Sequence, residues 1–162
     1  MILAISGTPG TGKSTLASQL AQRSGWELLD GTAFIKKNKI FDSYDRTHKS
    51  YIVDTALFAR KVVAFSKKHP YVIVDSHLSH YIPKKYVEAV IVTNCELKAL
   101  SRRLTARGYS KQKVRENLDA EIFDVCATEA LEAGHTVIKI DCTKKLNKRK
   151  IEEIFKKLQS SS

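Results

Sequence analysis

A chain of 162 residues is long enough for one domain with a real core and too short for two ordinary ones. Its 43% hydrophobic content is that of a globular protein, and no apolar run approaches the roughly 18 residues of a membrane span, so no membrane partner is expected. The net charge of +11 exceeds the needs of a small anionic ligand. It points either to nucleic acid or a ribonucleoprotein as partner, or to the solvated, lysine-rich surface common in heat-adapted proteins.

Met1-Ile2-Leu3-Ala4-Ile5 reads as an apolar strand. It lacks a basic start and is too short for a signal-peptide core, so a soluble, cytoplasmic protein is expected. Gly7-Thr8-Pro9-Gly10-Thr11-Gly12-Lys13-Ser14 follows and meets the pattern G-x-x-x-x-G-K-[ST] in full, and Thr15-Leu16-Ala17-Ser18-Gln19-Leu20-Ala21 continues as a helix. Strand, glycine-rich turn and helix are the setting of a phosphate-binding loop. Gly7, Gly10 and Gly12 permit torsions that let successive N–H groups converge on a phosphate at the positive end of the helix. Lys13 can then reach the β- and γ-phosphates of a nucleotide, and the Ser14 hydroxyl can ligate Mg²⁺. The chain reads as a nucleotide-binding protein.

The first helix is predicted from Lys13 to Ser24, with Leu16 and Leu20 on its buried face and Gly25 as its stop. Trp26 to Asp30 reads as the second strand, followed by a turn at Gly31-Thr32. From Ala33 to Val53 the pattern weakens: Lys36, Lys37 and Lys39 lead into Phe41-Asp42-Ser43-Tyr44-Asp45-Arg46-Thr47-His48, read as a short helix and a mobile loop. Asp54 is placed to cap a helix running to about Lys68 and ended by His69-Pro70. Tyr71-Val72-Ile73-Val74-Asp75 is a strand buried on both faces that ends in an acid, and Val87 to Thr93 is another.

Leu97, Leu100 and Leu104 stripe a helix from Glu96 to Ala106, which Gly108 interrupts. Val114, Leu118, Ile122 and Val125 are read as the stripe of one further helix. Thr136 to Ile140 is a fifth strand, and Ile151, Ile154, Phe155 and Leu158 face a last amphipathic helix. Cys95, Cys126 and Cys142 form no C-x-x-C pair and read as ordinary reduced thiols. Strands alternating with helices predict an α/β fold with a parallel, doubly wound sheet, its ligands gathered at the carboxyl ends of the strands.

Asp75 ends its strand as the acid of a Walker B motif does, and is read as holding Mg²⁺ directly or through water. Capping the next helix is its plainer alternative. His77 is a candidate either to position an attacking water or to orient a phosphate acceptor. His77 and His80 form a His-x-x-His pair with no further ligand cluster, so zinc is not expected. Guanine specificity is unsupported, since Asn38-Lys39-Ile40-Phe41-Asp42 sets its acid one place too late for Asn-Lys-x-Asp. A small kinase needs arginines where charge develops on the phosphates. Arg102, Arg103 and Arg107 are available; Arg103 and Arg107 share a helix face, and the Arg107-Gly108 hinge is read as a lid.

The phosphate loop, Val72-Ile73-Val74-Asp75-Ser76-His77, Arg107-Gly108-Tyr109-Ser110 and Glu116-Asn117-Leu118-Asp119-Ala120-Glu121-Ile122-Phe123 occur in this order. That series resembles the small adenylate-kinase-like NTPases of the CINAP type. The resemblance runs from the start of the chain to about Phe123. It implies a single P-loop NTPase domain over residues 1–162, with a five-stranded parallel sheet flanked by helices. A monophosphate-binding insert (residues 30–53) and a short lid (residues 106–116) would be appended to it. It further implies that Gly10, Gly12, Lys13, Ser14 and Thr15 bind ATP while Arg107 covers its phosphates. Lys13, Asp75, His77 and Arg107 would then be the catalytic set, Asp75 and His77 matching the family's D-x-H pair, with Ser14 and Asp75 holding Mg²⁺. AMP is the implied acceptor, and a loop at about Asp141 to Leu146 would by its position contact adenine. Members have adenylate kinase and ATPase activity, bind the platform ribosomal protein of the small subunit, and act late in ribosomal RNA processing.

Two functions therefore stand side by side. One is an enzyme moving phosphate from ATP to AMP, although between Asp30 and Arg60 the only arginines are Arg46 and Arg60 itself. Lys36 and Lys37 could substitute, without the bidentate fork of arginine. The other is an ATP-driven assembly factor gripping a ribosomal protein and RNA through Lys111, Lys113, Arg115 and the run Lys144-Lys145…Lys148-Arg149-Lys150. Without interleaved aromatics those runs suit phosphate-backbone contact rather than base stacking.

Overall fold

The computed structural model describes residues 1–41, 43–45 and 50–160. Its centre is β1 (Ile2–Ser6), every residue of which is buried. Parallel strands flank it: β2 (Glu27–Asp30), β5 (Val72–Asp75), β6 (Val87–Asn94) and β7 (Val137–Asp141) complete a five-stranded sheet in the order β2-β5-β1-β6-β7. The fold is the predicted doubly wound α/β sheet. Alternation along each strand divides its side chains between two helical layers. Ile2, Ala4, Val72, Val74, Val90 and Val92 pack with Phe58 and Val62 of α3 (Thr55–Ser66) and with Ala127 and Ala130 of α6 (Val125–Glu132). Leu3, Ile5, Ile73, Ala89 and Ile91 face the other way. They meet Leu16 and Leu20 of α1 (Lys13–Ser24) and Ile151, Ile154 and Leu158 of α7 (Lys148–Ser160). Each fully buried aliphatic side chain contributes about 1.5–3 kcal/mol, so the two layers clamp the central strands firmly.

Gly25 ends α1 with φ 71°, as expected. Asp54 caps α3 by accepting from the Leu57 N–H (2.8 Å). A third cluster, Cys95, Ala99, Leu100 and Leu104, packs α4 (Leu97–Ala106) against Val114 and Leu118 of α5 (Lys111–Ile122). Among the described residues no helix is long and apolar enough to cross a membrane.

Three local expectations are corrected. The turn expected at Gly31-Thr32 is the first turn of α2 (Gly31–Asn38), because the Asp30 side chain accepts from the Ala33 N–H (3.0 Å) and caps a helix there. The single helix expected through Val125 is two, since Asp124 takes a left-handed conformation (φ 54°) and separates α5 from α6. Part of the expected mobile loop is paired: β3 (Ser43–Asp45) and β4 (Ser50–Ile52) form a two-stranded antiparallel sheet. Asp42 and residues 46–49, including Arg46 and His48, lie outside the described residues.

Candidate active site

The carboxyl ends of β1, β2 and β5 converge on residues 7–14. Gly7 has φ 139°, and a Cβ there would fall 2.5 Å from the Thr93 carbonyl oxygen, so the loop hugs β6 in a way only glycine permits. Thr11 anchors the turn from inside: its hydroxyl lies 2.7 Å from the Thr8 carbonyl and 2.7 Å from the Thr93 hydroxyl, and all of it is buried. No side chain caps α1, which begins on Gly12 with φ 112°. Its first N–H groups are therefore left for an anionic ligand.

The ammonium of Lys13 folds back on the loop, donating to the carbonyls of Gly7 (2.7 Å) and Thr8 (3.1 Å). Burial lowers its pKa, while the nearby Asp75 carboxylate acts in the opposite sense. Burial pushes the Asp75 carboxyl up; a hydrogen bond from Ser14 and the charge of Lys13 draw it back, and Asp30 pushes it up again. His77 is exposed at the rim of the site, and partial desolvation there, then the charges of Lys13 and His80, hold it below the usual imidazole value. At neutral pH it is therefore an uncharged ring, able to accept or donate one hydrogen bond.

The phosphate loop separates two cavities. One, of about 330 Å³, is lined by Lys13, Ser14, Asp30, Thr32, Asp75 and His77, among others. The other, of about 310 Å³, is lined by Leu16, Gln19, Cys142, Lys144, Lys145 and Leu146, among others. Gly10, Gly12, Thr15 and Arg107 border both. The residues expected to bind ATP, Gly10, Gly12, Lys13, Ser14, Thr15 and Arg107, are thus contiguous, and Asp75 and His77 lie on one side of them. The 141–146 loop, placed by position alone, supplies four residues to the opposite cavity.

Arg103 is not free to act as a lid. It donates to the carbonyls of Gly10 (3.3 Å), Thr11 (3.5 Å), Cys142 (3.0 Å) and Thr143 (2.7 Å), tying the phosphate loop to the loop after β7. Its planar fork suits that convergence of oxygens. Arg107, one turn on, is exposed at the C-terminus of α4, and Gly108 follows with φ 76°. Lys36 and Lys37 are exposed in the last turn of α2 and border neither cavity.

Sequence reasoning missed Asp30, Thr32 and Gln19. Asp30 carried a signal of the kind used for Asp75, an apolar strand ending in an acid. Gln19 carried none, because its relevance comes from packing: its amide lies 3.5 Å from the Leu146 carbonyl, at the outer limit of a hydrogen bond.

The donor set fits Mg²⁺. Ser14 and Asp75 bring hard oxygen donors to one cavity. Among the described residues no group of three or more His, Cys, Asp or Glu could hold a metal by itself. A cation held by Ser14 and Asp75 would complete its shell with phosphate oxygens and water, as Mg²⁺ does in nucleotide sites.

A family model described as "AAA domain" matches residues 3–124. A protein of Thermococcus onnurineus named "Putative adenylate kinase" is 36% identical over 163 residues, covering 100% of this chain and 86% of its own. One of the same name from Methanocaldococcus jannaschii is 34% identical, covering 98% and 86%. Among solved structures, shikimate kinase from Acinetobacter baumannii in complex with shikimate superposes with a TM-score of 0.67 at 13% identity, covering 99% of this chain and 94% of that one. Deoxyadenosine kinase from M. mycoides with bound dATP gives 0.60 at 17% identity, covering 98% and 99%. At such identities these two speak for the fold alone.

Proposed function

Because the chain belongs to the adenylate-kinase-like P-loop NTPases, we propose that it transfers the γ-phosphoryl group of MgATP to AMP, and to water when no acceptor is bound. The observation that carries this reading is the pair of cavities meeting at one phosphate loop, with Arg107 bordering both. A donor nucleotide lies along the loop with its base toward Gln19 and residues 144–146. Its terminal phosphate reaches the side of Asp75 and His77, where the acceptor enters.

Phosphoryl transfer needs positioning and charge stabilisation rather than covalent help from the protein. The N–H groups opening α1 cradle the phosphates. Lys13 exchanges the Gly7 and Thr8 carbonyls for phosphate oxygens, and its burial strengthens that attraction. Arg107 meets charge developing on the transferred group. Ser14 and Asp75 would hold Mg²⁺, which when bound supplies charge neutralisation on the phosphate oxygens. The uncharged His77 orients the acceptor, whether AMP or water.

The test is turnover with ATP and Mg²⁺, with and without AMP, resolving ADP from free phosphate. We expect two ADP per ATP consumed when AMP is present and slow phosphate release without it. Replacing His77 by alanine should lower both by about 10²-fold, the size of a lost positioning or acid–base group. AMP-independent turnover that survives this change sinks the assignment of His77. No stimulation of ADP formation by AMP sinks the kinase reading.

A second reading, ATP-coupled work in maturation of the small ribosomal subunit, is supported by the motif series and by exposed charge. Lys111, Lys113, Lys144, Lys145 and Lys148 are exposed, whereas Arg115 pairs with Asp119, and Arg149 and Lys150 engage Glu153. On this reading those lysines meet ribosomal RNA, and the platform ribosomal protein is the protein partner.

A further inference from the structure

The mechanism above uses one carboxylate, Asp75, yet the structure sets a second beside it. Asp30 and Asp75 are the last residues of adjacent parallel strands and register partners. Neighbouring strands lie about 4.8 Å apart, and partners in register project to the same side of the sheet. Both residues border the cavity that holds Lys13, Ser14 and His77. Two features of the fold hold this pairing. Gly31 sits so close to β5 that a Cβ would fall 2.6 Å from Ser76 Cβ and 2.9 Å from the Asp75 carbonyl. The Asp30 side chain is oriented by its cap to the Ala33 N–H (3.0 Å).

The cap does not by itself account for an acid here. Serine, asparagine and aspartate cap helices about equally well, and only one carboxylate oxygen is needed for it. A second negative charge next to Asp75, in a site built for polyphosphate, works against binding of the bare anion. It becomes favourable only when a divalent cation accompanies the nucleotide. We infer that Asp30 is a second carboxylate of the Mg²⁺ site, engaging the ion's water shell beside Asp75 and so making nucleotide binding conditional on the metal. This rests on the reading that the site binds MgATP. Mg²⁺ keeps several waters in such sites, and partners of those waters typically set metal affinity within 10–100-fold.

The charge and the cap separate experimentally. Asp30→Asn keeps the cap and removes the charge, and Asp30→Ser does the same with a shorter side chain. Binding of the non-hydrolysable analogue AMP-PNP is measured by calorimetry in EDTA and again in Mg²⁺. Mn²⁺ retained by the analogue-loaded protein is counted by electron paramagnetic resonance. Both variants should bind the analogue at least as tightly as wild type in EDTA, because a repulsion is gone. With Mg²⁺ they should bind it at least about threefold more weakly, and Mn²⁺ should dissociate about tenfold more readily. That opposite sign in the two arms is something a merely structural role does not produce. Weaker binding in both arms, or less than about threefold change with Mg²⁺, overturns the inference. Wild-type protein that binds the analogue in neither arm overturns the nucleotide-site reading itself, and this inference with it.

Discussion

At Lys13 binding and stability pull in opposite directions. Its ammonium is partly buried on two carbonyls, with a pKa lowered chiefly by desolvation, so the folded state carries it at a cost. Lys13→Met should therefore cut turnover by at least about 10²-fold while the thermal midpoint holds or rises. A midpoint that falls with the activity would mean the lysine is structural. Cys142 offers a pH test. Its thiol is pushed up to about 11 by burial and then by the Asp141 charge. At pH 8 its thiolate fraction is roughly a hundredth of that of an ordinary protein thiol. Alkylation by iodoacetamide, followed site by site by mass spectrometry, should be correspondingly slow and still rising between pH 9 and 10. Because the folded-state pKa is raised, Cys142 contributes stability that is present below pH 9 and lost as pH climbs toward 11. A rate that levels off below pH 9 would contradict that environment.

The elements hold the site through a few close approaches. Arg103 on α4 bonds four carbonyls from two loops, and Arg103→Lys loses the fork while keeping the charge. That change should destabilise by about 1.5–3 kcal/mol, the worth of charged hydrogen bonds, and weaken ATP binding more than it slows transfer. Chemical denaturation and the split between KM and kcat check the two halves. Gly31→Ala drives a methyl into Ser76 and the Asp75 carbonyl, so β2 and β5 must part or α2 must shift. Overpacking of this kind costs about 1–3 kcal/mol, and here it should also disturb the Asp30–Asp75 pair, lowering activity at limiting Mg²⁺. Activity unchanged across a Mg²⁺ titration would show that the close approach is not needed.

Over the whole molecule, a net charge of +11 leaves many exposed lysines, and the proposed RNA contact is testable at the two that adjoin the candidate site. Lys144 and Lys145 border the second cavity and are exposed, so an RNA contact there would adjoin a nucleotide held on the phosphate loop. For a single-stranded ribosomal RNA fragment, log affinity should fall linearly with log salt. Replacing both lysines by glutamine should reduce that slope by about 1.4, since each neutralised phosphate contributes about 0.7. A salt-independent affinity would remove the proposed RNA contact.

The local patterns in the chain were enough for the sheet, the phosphate loop and the place of Asp75 at a strand end. Short apolar runs rich in β-branched residues and bounded by turn signals suit a strand buried on both faces, and the loop's spacing suits the junction of a strand and a helix. Gly25 and Asp54 announced their caps because capping is a local matter of one residue and its near neighbours. The tertiary structure alone decided which strand lies beside which. That order made Asp30 the neighbour of Asp75, though 45 positions separate them. It also turned Arg103 onto loop carbonyls beside one cavity while leaving Arg107 bordering both. Two arginines one turn apart look alike in sequence; which one is tied down depends on the oxygen atoms other segments bring to it.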